Sequence, residues 1–272
     1  MIGNVLKMRV TLARPVEYQL PLDQAAIDMN AQIGRSIKLK FFGEIDCIAC
    51  GRKTSKSYAQ GYCYPCFISL AECDMCIVKP ETCHYEAGTC RDPEWAQQHC
   101  MQPHFVYLAN SSGIKVGITR ASQIPTRWID QGASQALPIF RVGSRYQSGL
   151  LEVALKKYIS DRTDWRKMLK AEPEPRDLAS LRDQLVAQIG DRISELQTQF
   201  GDQNIQYLSD EAMVEIRYPV DRYPEKVRSH NLDKTPLVEG VLTGIKGQYL
   251  MLDSGVLNIR KYSGYKLDVE LN

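Results

Sequence analysis

All nine cysteines of this 272-residue chain lie between positions 47 and 100. Their number is odd, and the N-terminus interrupts its apolar residues with Lys7, Arg9 and Arg14, so we expect a cytoplasmic protein rather than a secreted one. A disulfide framework explains such a set poorly, because disulfides belong to oxidising compartments. We therefore predict that the segment 47–104 binds metal.

Two CxxC pairs, separated by twelve residues, form the first candidate site. They are Cys47 with Cys50 and Cys63 with Cys66. Each CxxC turn presents two thiolates to one metal, and two turns complete the tetrahedron that zinc prefers in closed structural sites. Gly51 follows the first pair, where such turns often need an unhindered backbone. The pattern predicts one structural zinc ion, with an iron–sulfur cluster as the alternative.

A second group of cysteines predicts a further metal site, but the spacing leaves its ligands open. The first choice is Cys73, Cys76, Cys83 and Cys90, with Cys100 and His104 as alternative ligands. Free cysteine is also a common small buried residue, and some members of the group are open to that interpretation. We therefore expect one zinc ion and allow for two.

Cations and tyrosines alternate between the two CxxC pairs. Lys53, Lys56 and Tyr58 are of the types that contact phosphate and stack on bases, which makes them candidates for nucleic-acid binding. The alternative is a solvated hairpin whose tyrosines close a small core.

Charge is distributed unevenly along the chain, although the net charge is only +2. Residues 105–170 contain eleven Lys or Arg and four Asp or Glu, a net charge of +7, whereas residues 171–215 have a net charge of −7. The basic block predicts a polyanionic partner, DNA or RNA, unless the two blocks pack together and cancel. No run of about eighteen apolar residues occurs, so we expect neither a transmembrane helix nor a membrane partner.

Hydrophobic patterns predict an α+β fold. The terminal segments, 1–46 and 216–272, have the character of strands, and neither is long enough for a core of its own, so we expect them to pair into one small barrel or sheet. In the acidic segment 171–215, apolar residues at helical spacing predict one amphipathic helix over 178–200.

The basic segment 105–170 predicts a β-hairpin, a helix over 120–131, a strand over 137–142 and a helix over 150–159. Within it, Tyr107-Leu108, Lys115-Val116-Gly117, Arg127 and Glu152 resemble the motifs of the GIY-YIG nuclease family, and the order of elements matches. The similarity is greatest to the phage-associated branch, whose second motif often has Lys followed by Gly-x-Thr. The whole chain also resembles an uncharacterised bacterial family that joins zinc knuckles to this module.

The resemblance implies a role for each matching residue. Tyr107 would help to activate the nucleophile, Arg127 would bind the scissile phosphate, and Glu152 would hold a divalent cation, for which Mg²⁺ is suited. Lys115 replaces the second-motif tyrosine and is a poor proton acceptor near neutral pH unless its pKa is lowered. With Arg120, the residues Lys115 and Arg127 are also candidates for nucleic-acid contact.

Taken together, the zinc pattern and the resemblance imply a zinc-containing, Mg²⁺-dependent endonuclease. The alternative is a non-catalytic DNA- or RNA-binding or adaptor protein built on the same platform.

Overall fold

The computed structural model describes residues 1–271, which form a mixed α+β fold as predicted. The strands are β1 (Ile2–Asn4), β2 (Arg9–Thr11), β3 (Glu17–Leu22), β4 (Ala25–Asp28), β5 (Ser36–Asp46), β6 (Lys53–Thr54), β7 (His104–Asn110), β8 (Ile114–Arg120), β9 (Gln135–Val142), β10 (Ile205–Tyr207), β11 (Val214–Glu215), β12 (Leu237–Lys246), β13 (Tyr249–Leu252), β14 (Gly255–Asn258) and β15 (Tyr265–Leu271). The helices are α1 (Tyr64–Ser69), α2 (Met75–Val78), α3 (Pro93–His99), α4 (Thr126–Asp130), α5 (Arg145–Leu155), α6 (Trp165–Met168), α7 (Leu178–Gln188) and α8 (Gly190–Phe200). Within residues 1–271, no helix combines the length and the apolar character needed to cross a bilayer.

The two ends of the chain share one antiparallel sheet, in the order β1-β15-β5-β12-β13-β14, with β6 added to β5. Along β15, Leu267 and Val269 are buried. The alternate residues, Asp268 and Glu270, lie opposite lysines of β5 in the antiparallel pairing. This alternation is typical of an antiparallel sheet with one covered face. The predicted pairing of the two terminal segments is therefore confirmed.

A second sheet, in the order β10-β9-β7-β8 with β11 also on β9, contains the predicted hairpin. Successive side chains of β7 point to opposite faces of this sheet. Both faces are covered, each by a different core. Val106 and Leu108 pack in a core with α5, α7 and α8, whereas Tyr107 and Ala109 pack in the core of the terminal sheet. The central sheet thus lies between the helices and the terminal strands.

Two predicted helices differ from the structure. The single helix over 178–200 is wrong, because the chain breaks into α7 and α8 at Ile189 (φ −110°, ψ 17°), just before the flexible Gly190. The helix over 120–131 is also shorter, because Ile124 precedes Pro125 and adopts an extended conformation. Only α4 remains of it.

Helix α5 begins at Arg145, five residues before the predicted start at 150, and ends at Leu155, four residues before the predicted end at 159. A capping box fixes this start: the Ser144 side chain accepts from the Gln147 backbone, and the Gln147 side chain accepts from the Ser144 backbone. This extra turn at the N-terminus adds Arg145 to the helix that presents Glu152.

Candidate metal centre and nucleic-acid cleft

The four cysteines of the two CxxC pairs converge as predicted. Cys47 directly follows β5, Cys63 is the N-cap of α1, and all four Sγ atoms lie within 4.8 Å of one another. The Sγ atoms of Cys50 and Cys63 are 3.8 Å apart, close to the edge of about 3.8 Å of a tetrahedron with zinc–sulfur bonds of about 2.3 Å. The group is therefore a site that can hold zinc.

Local backbone geometry prepares this site for a metal. Gly51 has a φ of +69°, as its predicted role requires, and its N–H donates to the Cys47 carbonyl at 2.8 Å. Burial raises the pKa of the Cys47 thiol, but hydrogen bonds from backbone amides, that of Cys63 first, outweigh burial and lower it to about 6. The thiolate is thus favoured at Cys47 before a metal binds, whereas burial raises the pKa of the Cys66 thiol.

The loop between the CxxC pairs is held together by its aromatic residues. The Tyr58 ring is half-buried, and its centroid lies 5.4 Å from that of Tyr64 and 5.5 Å from that of Phe67. Lys56 lies over the Tyr58 ring, and Lys53 pairs with Glu44 at 2.8 Å. These contacts favour the interpretation of a hairpin with a small aromatic core, while phosphate contact by the two lysines stays a prediction.

Among the other cysteines, the structure places around one cavity a set that differs from the first choice made on spacing. Cys76, Cys83, Cys90 and Cys100 line one small cavity, and neither Cys73 nor His104 is among its lining residues. Cys73 is also not grouped with Cys76 as a metal ligand, and Asp74 between them caps α2 by accepting from the Cys76 backbone N–H.

The two residues left outside this cavity have other environments. Cys73 ends a 3-10 turn, where burial raises the pKa of its thiol to about 11. The Nδ1 atom of His104 lies 2.7 Å from the Gln102 carbonyl, and burial lowers the pKa of this imidazole to about 4.

A second cleft, of about 430 Å³, brings together most of the residues predicted for catalysis. Strand β8 contributes Lys115 and Arg120, α4 contributes Arg127, and α5 contributes Glu152. Lys115 and Glu152 are more than nine-tenths buried, so their charged groups lie in a partly desolvated environment.

Tyr107 lies behind the floor of this cleft rather than in it. Its ring is fully buried, and its hydroxyl donates to Gln131 Oε1 at 2.9 Å, where Gln131 is a lining residue. A Cβ atom at Gly117 would lie 2.7 Å from the Tyr107 hydroxyl, so only glycine lets the tyrosine pack under β8 at this point. Burial raises the pKa of Tyr107, and the nearby Arg127 acts against this rise.

Sequence reasoning missed three charged residues of the cleft: Arg145, Asp161 and Arg260. Arg145 is the first residue of α5, and the capping box was the signal that could have placed it there. Arg260 lies on a 3-10 turn of the terminal sheet, and no local pattern links this turn to the basic segment. It reaches the cleft because the two sheets pack against each other.

The family described as "Protein of unknown function (DUF2797)" matches residues 34–267. The chain belongs to this family. The match covers the nine cysteines and every residue that lines the cleft. No curated protein and no solved structure matches the chain.

In this member of the family, the cleft is strongly cationic. Five cations line it, against the two carboxylates Glu152 and Asp161; the cations are Lys115, Arg120, Arg127, Arg145 and Arg260. Burial, assisted by the Arg127 guanidinium, lowers the pKa of Lys115 to about 8. Burial likewise raises the pKa of Glu152, against the effect of Lys156, whose Nζ lies 3.5 Å from its carboxylate.

The acidic block does not neutralise this charge through ion pairs. Within residues 1–271, no salt bridge joins a residue of 105–170 to a residue of 171–215; the ion pairs of these two blocks are internal, apart from Lys7 with Asp130. The helices of the acidic segment contact the central sheet through apolar side chains instead. The basic cleft therefore remains available to an anionic partner.

Proposed function

We propose that this protein binds DNA or RNA in the basic cleft and hydrolyses phosphodiester bonds there with the help of Mg²⁺. The observation that carries the proposal is the convergence of Lys115, Arg127 and Glu152 in one cleft, as the resemblance to GIY-YIG nucleases implies. Five cations around two carboxylates suit a chain of phosphates with a small site for a hard cation.

The arginines serve substrate binding first. A guanidinium presents a planar set of donors that matches the oxygens of a phosphate, and the low dielectric of a cleft strengthens the contact. Arg127 comes from α4 and Arg260 from the terminal sheet, so a backbone that enters the cleft would meet cations from two separate parts of the fold. This arrangement favours a bound phosphate at the centre, next to Glu152.

The proposed chemistry requires a proton acceptor, a charge stabiliser and a cation ligand. Neutral Lys115 would take a proton from the attacking water as the water oxygen bonds to phosphorus, and Arg127 would stabilise the charge that develops on the phosphate oxygens. The bond from phosphorus to the leaving oxygen would then break, and the leaving oxygen would take a proton from solvent. The oxygens of Glu152 and Asp161 are donors that Mg²⁺ prefers, so they fit this cation once the Lys156 ammonium, 3.5 Å from Glu152 and 3.0 Å from Asp161, moves aside. A bound Mg²⁺ would supply Lewis-acid stabilisation of the phosphate.

Binding is expected to depend steeply on salt, because each neutralised phosphate releases condensed counterions. Arg260→Ala should weaken binding of a short duplex by roughly tenfold or more, since a charge-assisted hydrogen bond contributes about 1.5–3 kcal/mol. It should also reduce the slope of log K against log salt by about one. Fluorescence anisotropy of a labelled duplex and a labelled single strand, across a salt series, measures both quantities.

Arg141→Ala is the matched control for this experiment. Arg141 is exposed on β9, lies outside the cleft and contacts Gln206, so its loss should leave affinity and salt slope nearly unchanged. Equal losses for the two arginine variants, or a flat salt response of the wild type, would contradict binding in the cleft.

Cleavage is expected to become faster as the pH rises through about 8, where Lys115 loses its proton. Because the neutral amine is the base, about a tenth of the lysine is active at pH 7 if its pKa is about 8, and the rate should increase roughly tenfold to a plateau. Lys115→Arg should remove this dependence and most of the rate while keeping affinity, because arginine stays protonated. The measurement is the cleavage rate from pH 6 to 9.5; Lys157→Arg, an exposed control, should keep the wild-type profile.

Two observations favour the non-catalytic alternative, a binding platform. The Tyr107 hydroxyl is buried and already bonded to Gln131, and Lys156 lies beside the Glu152 carboxylate, where a cation would bind. A protein that binds nucleic acid with the expected salt response, yet cleaves neither DNA nor RNA with any divalent cation, would establish this alternative.

A further inference from the structure

The second cysteine cavity is small, about 20 Å³, and partly open, and none of the four cysteines of the first zinc site lines it. Its four thiols come from different turns of the chain: Cys76 from α2, Cys83 from the end of the 3-10 turn Pro80–Thr82, Cys90 from the loop before α3, and Cys100 from the end of α3. All four are free, and Cys100 is buried. A segment with so few other buried side chains needs a cross-link to hold these turns together.

A competing ligand set lies at the same place but is already engaged. Asp74, Cys76 and His84 have ligand atoms within 4.8 Å of one another. The Asp74 carboxylate, however, caps α2 and lies 2.7 Å from the Arg91 guanidinium, and His84 Nε2 lies 3.5 Å from the same carboxylate. A cation at this triad would face the positive charge of Arg91. The triad is better explained as an ion-pair network that supports the wall of the cavity.

We propose that Cys76, Cys83, Cys90 and Cys100 bind a second metal centre through four thiolates. Thiolates select soft metals, and zinc and an iron–sulfur cluster are the occupants that we infer here. No three of these sulfurs lie within 4.8 Å of one another, whereas all four of the first centre do. A single zinc ion would therefore require the four sulfurs to move closer together. A cluster of several iron atoms is larger and would fit the wider spacing of the sulfurs.

The position of this centre connects it to the basic cleft. Cys76 and Cys83 flank the segment 77–82, and three residues of that segment line the cleft. The same segment packs on α5, where a Cβ at Gly149 would lie 2.6 Å from Pro80 Cβ. The centre thus fixes the wall of the cleft against the helix that presents Glu152.

Arg145 adds two further contacts between α5 and this part of the chain. Its guanidinium donates to the Ile77 carbonyl, and its backbone N–H donates to the Cys100 carbonyl at 2.8 Å. Loss of the metal should therefore loosen segment 77–82 and α5 together.

The test is the metal content of the full chain, purified without oxygen, measured as zinc, iron and acid-labile sulfide per chain. The wild type should contain the first zinc and a second centre. Two zinc ions per chain would identify the second centre as zinc, and iron with sulfide and visible absorption would identify it as an iron–sulfur cluster. Cys83→Ser and Cys100→Ser should lose the second centre and keep the first zinc. Cys73→Ser, the matched control, should keep both, as should His84→Gln.

Three results would overturn the proposal. These are one zinc with no iron in the wild type, both centres intact in Cys83→Ser and Cys100→Ser, or loss of the second centre in His84→Gln, which would assign the metal to the triad. If a serine variant does not fold, the metal content of the wild type and of His84→Gln together still decides the question.

Discussion

Glu152→Gln is expected to reduce Mg²⁺-dependent cleavage by roughly two to four orders of magnitude, because a catalytic metal ion contributes several kcal/mol to the transition state. Glutamine has nearly the same shape as glutamate but lacks the charge that holds a hard cation. Affinity should stay the same or increase slightly, since the five cations of the cleft remain and one opposing charge is removed. Single-turnover cleavage and equilibrium binding, measured on the same substrate, separate these two effects.

Glu195→Gln provides a matched control, since it makes the same chemical change on α8, where Glu195 is exposed and pairs with Arg192. It should cleave like the wild type. If Glu152→Gln also cleaved like the wild type, Glu152 would not be the cation ligand. If Glu152→Gln lost cleavage and affinity together, the side chain would act by shaping the cleft through its contact with Lys156.

Features set by local spacing were predictable from the sequence. The two CxxC pairs need only their own turns to present four sulfurs, and the hairpin of β7 and β8 needs only two apolar runs and a turn. Lys115, Arg127 and Glu152 are spread over nearly forty residues, and only the resemblance to a known family placed them together. Their positions on β8, α4 and α5 agree with it.

Features set by tertiary contacts were not predictable. Arg260 reaches the cleft because the terminal sheet packs on the central one, and nothing in its neighbourhood in the sequence indicates that contact. The spacing of Cys73 and Cys76 favoured a metal-binding turn, but Asp74 between them forms a stable helix cap instead. The break at Ile189 was missed because both halves of the predicted helix keep their apolar residues on the same core.

Cys63→Ser is expected to remove the first zinc and unfold the segment 47–69 while the two main cores stay folded. Structural zinc sites contribute about 10–16 kcal/mol of apparent binding energy in small domains, and little else is buried here besides the cysteines themselves. The cores of the central and terminal sheets contain residues from other segments, so they should survive. Zinc content, limited proteolysis and circular dichroism measure these effects, and Cys73→Ser should behave as the wild type.

The same variant should also weaken nucleic-acid binding, although no cysteine of the first centre lines the cleft. The centre begins directly after Asp46, whose N–H donates to the Gly264 carbonyl at 2.8 Å, close to the turn that presents Arg260. Gly264 has a φ of +84°, and a Cβ there would clash with the Asp46 carbonyl, so the two segments lie in direct contact. Unfolding of the segment after Asp46 should therefore loosen the turn that presents Arg260. The affinity for nucleic acid should then fall toward that of Arg260→Ala. Unchanged affinity after zinc loss would show that the turn holds Arg260 in place without the metal centre.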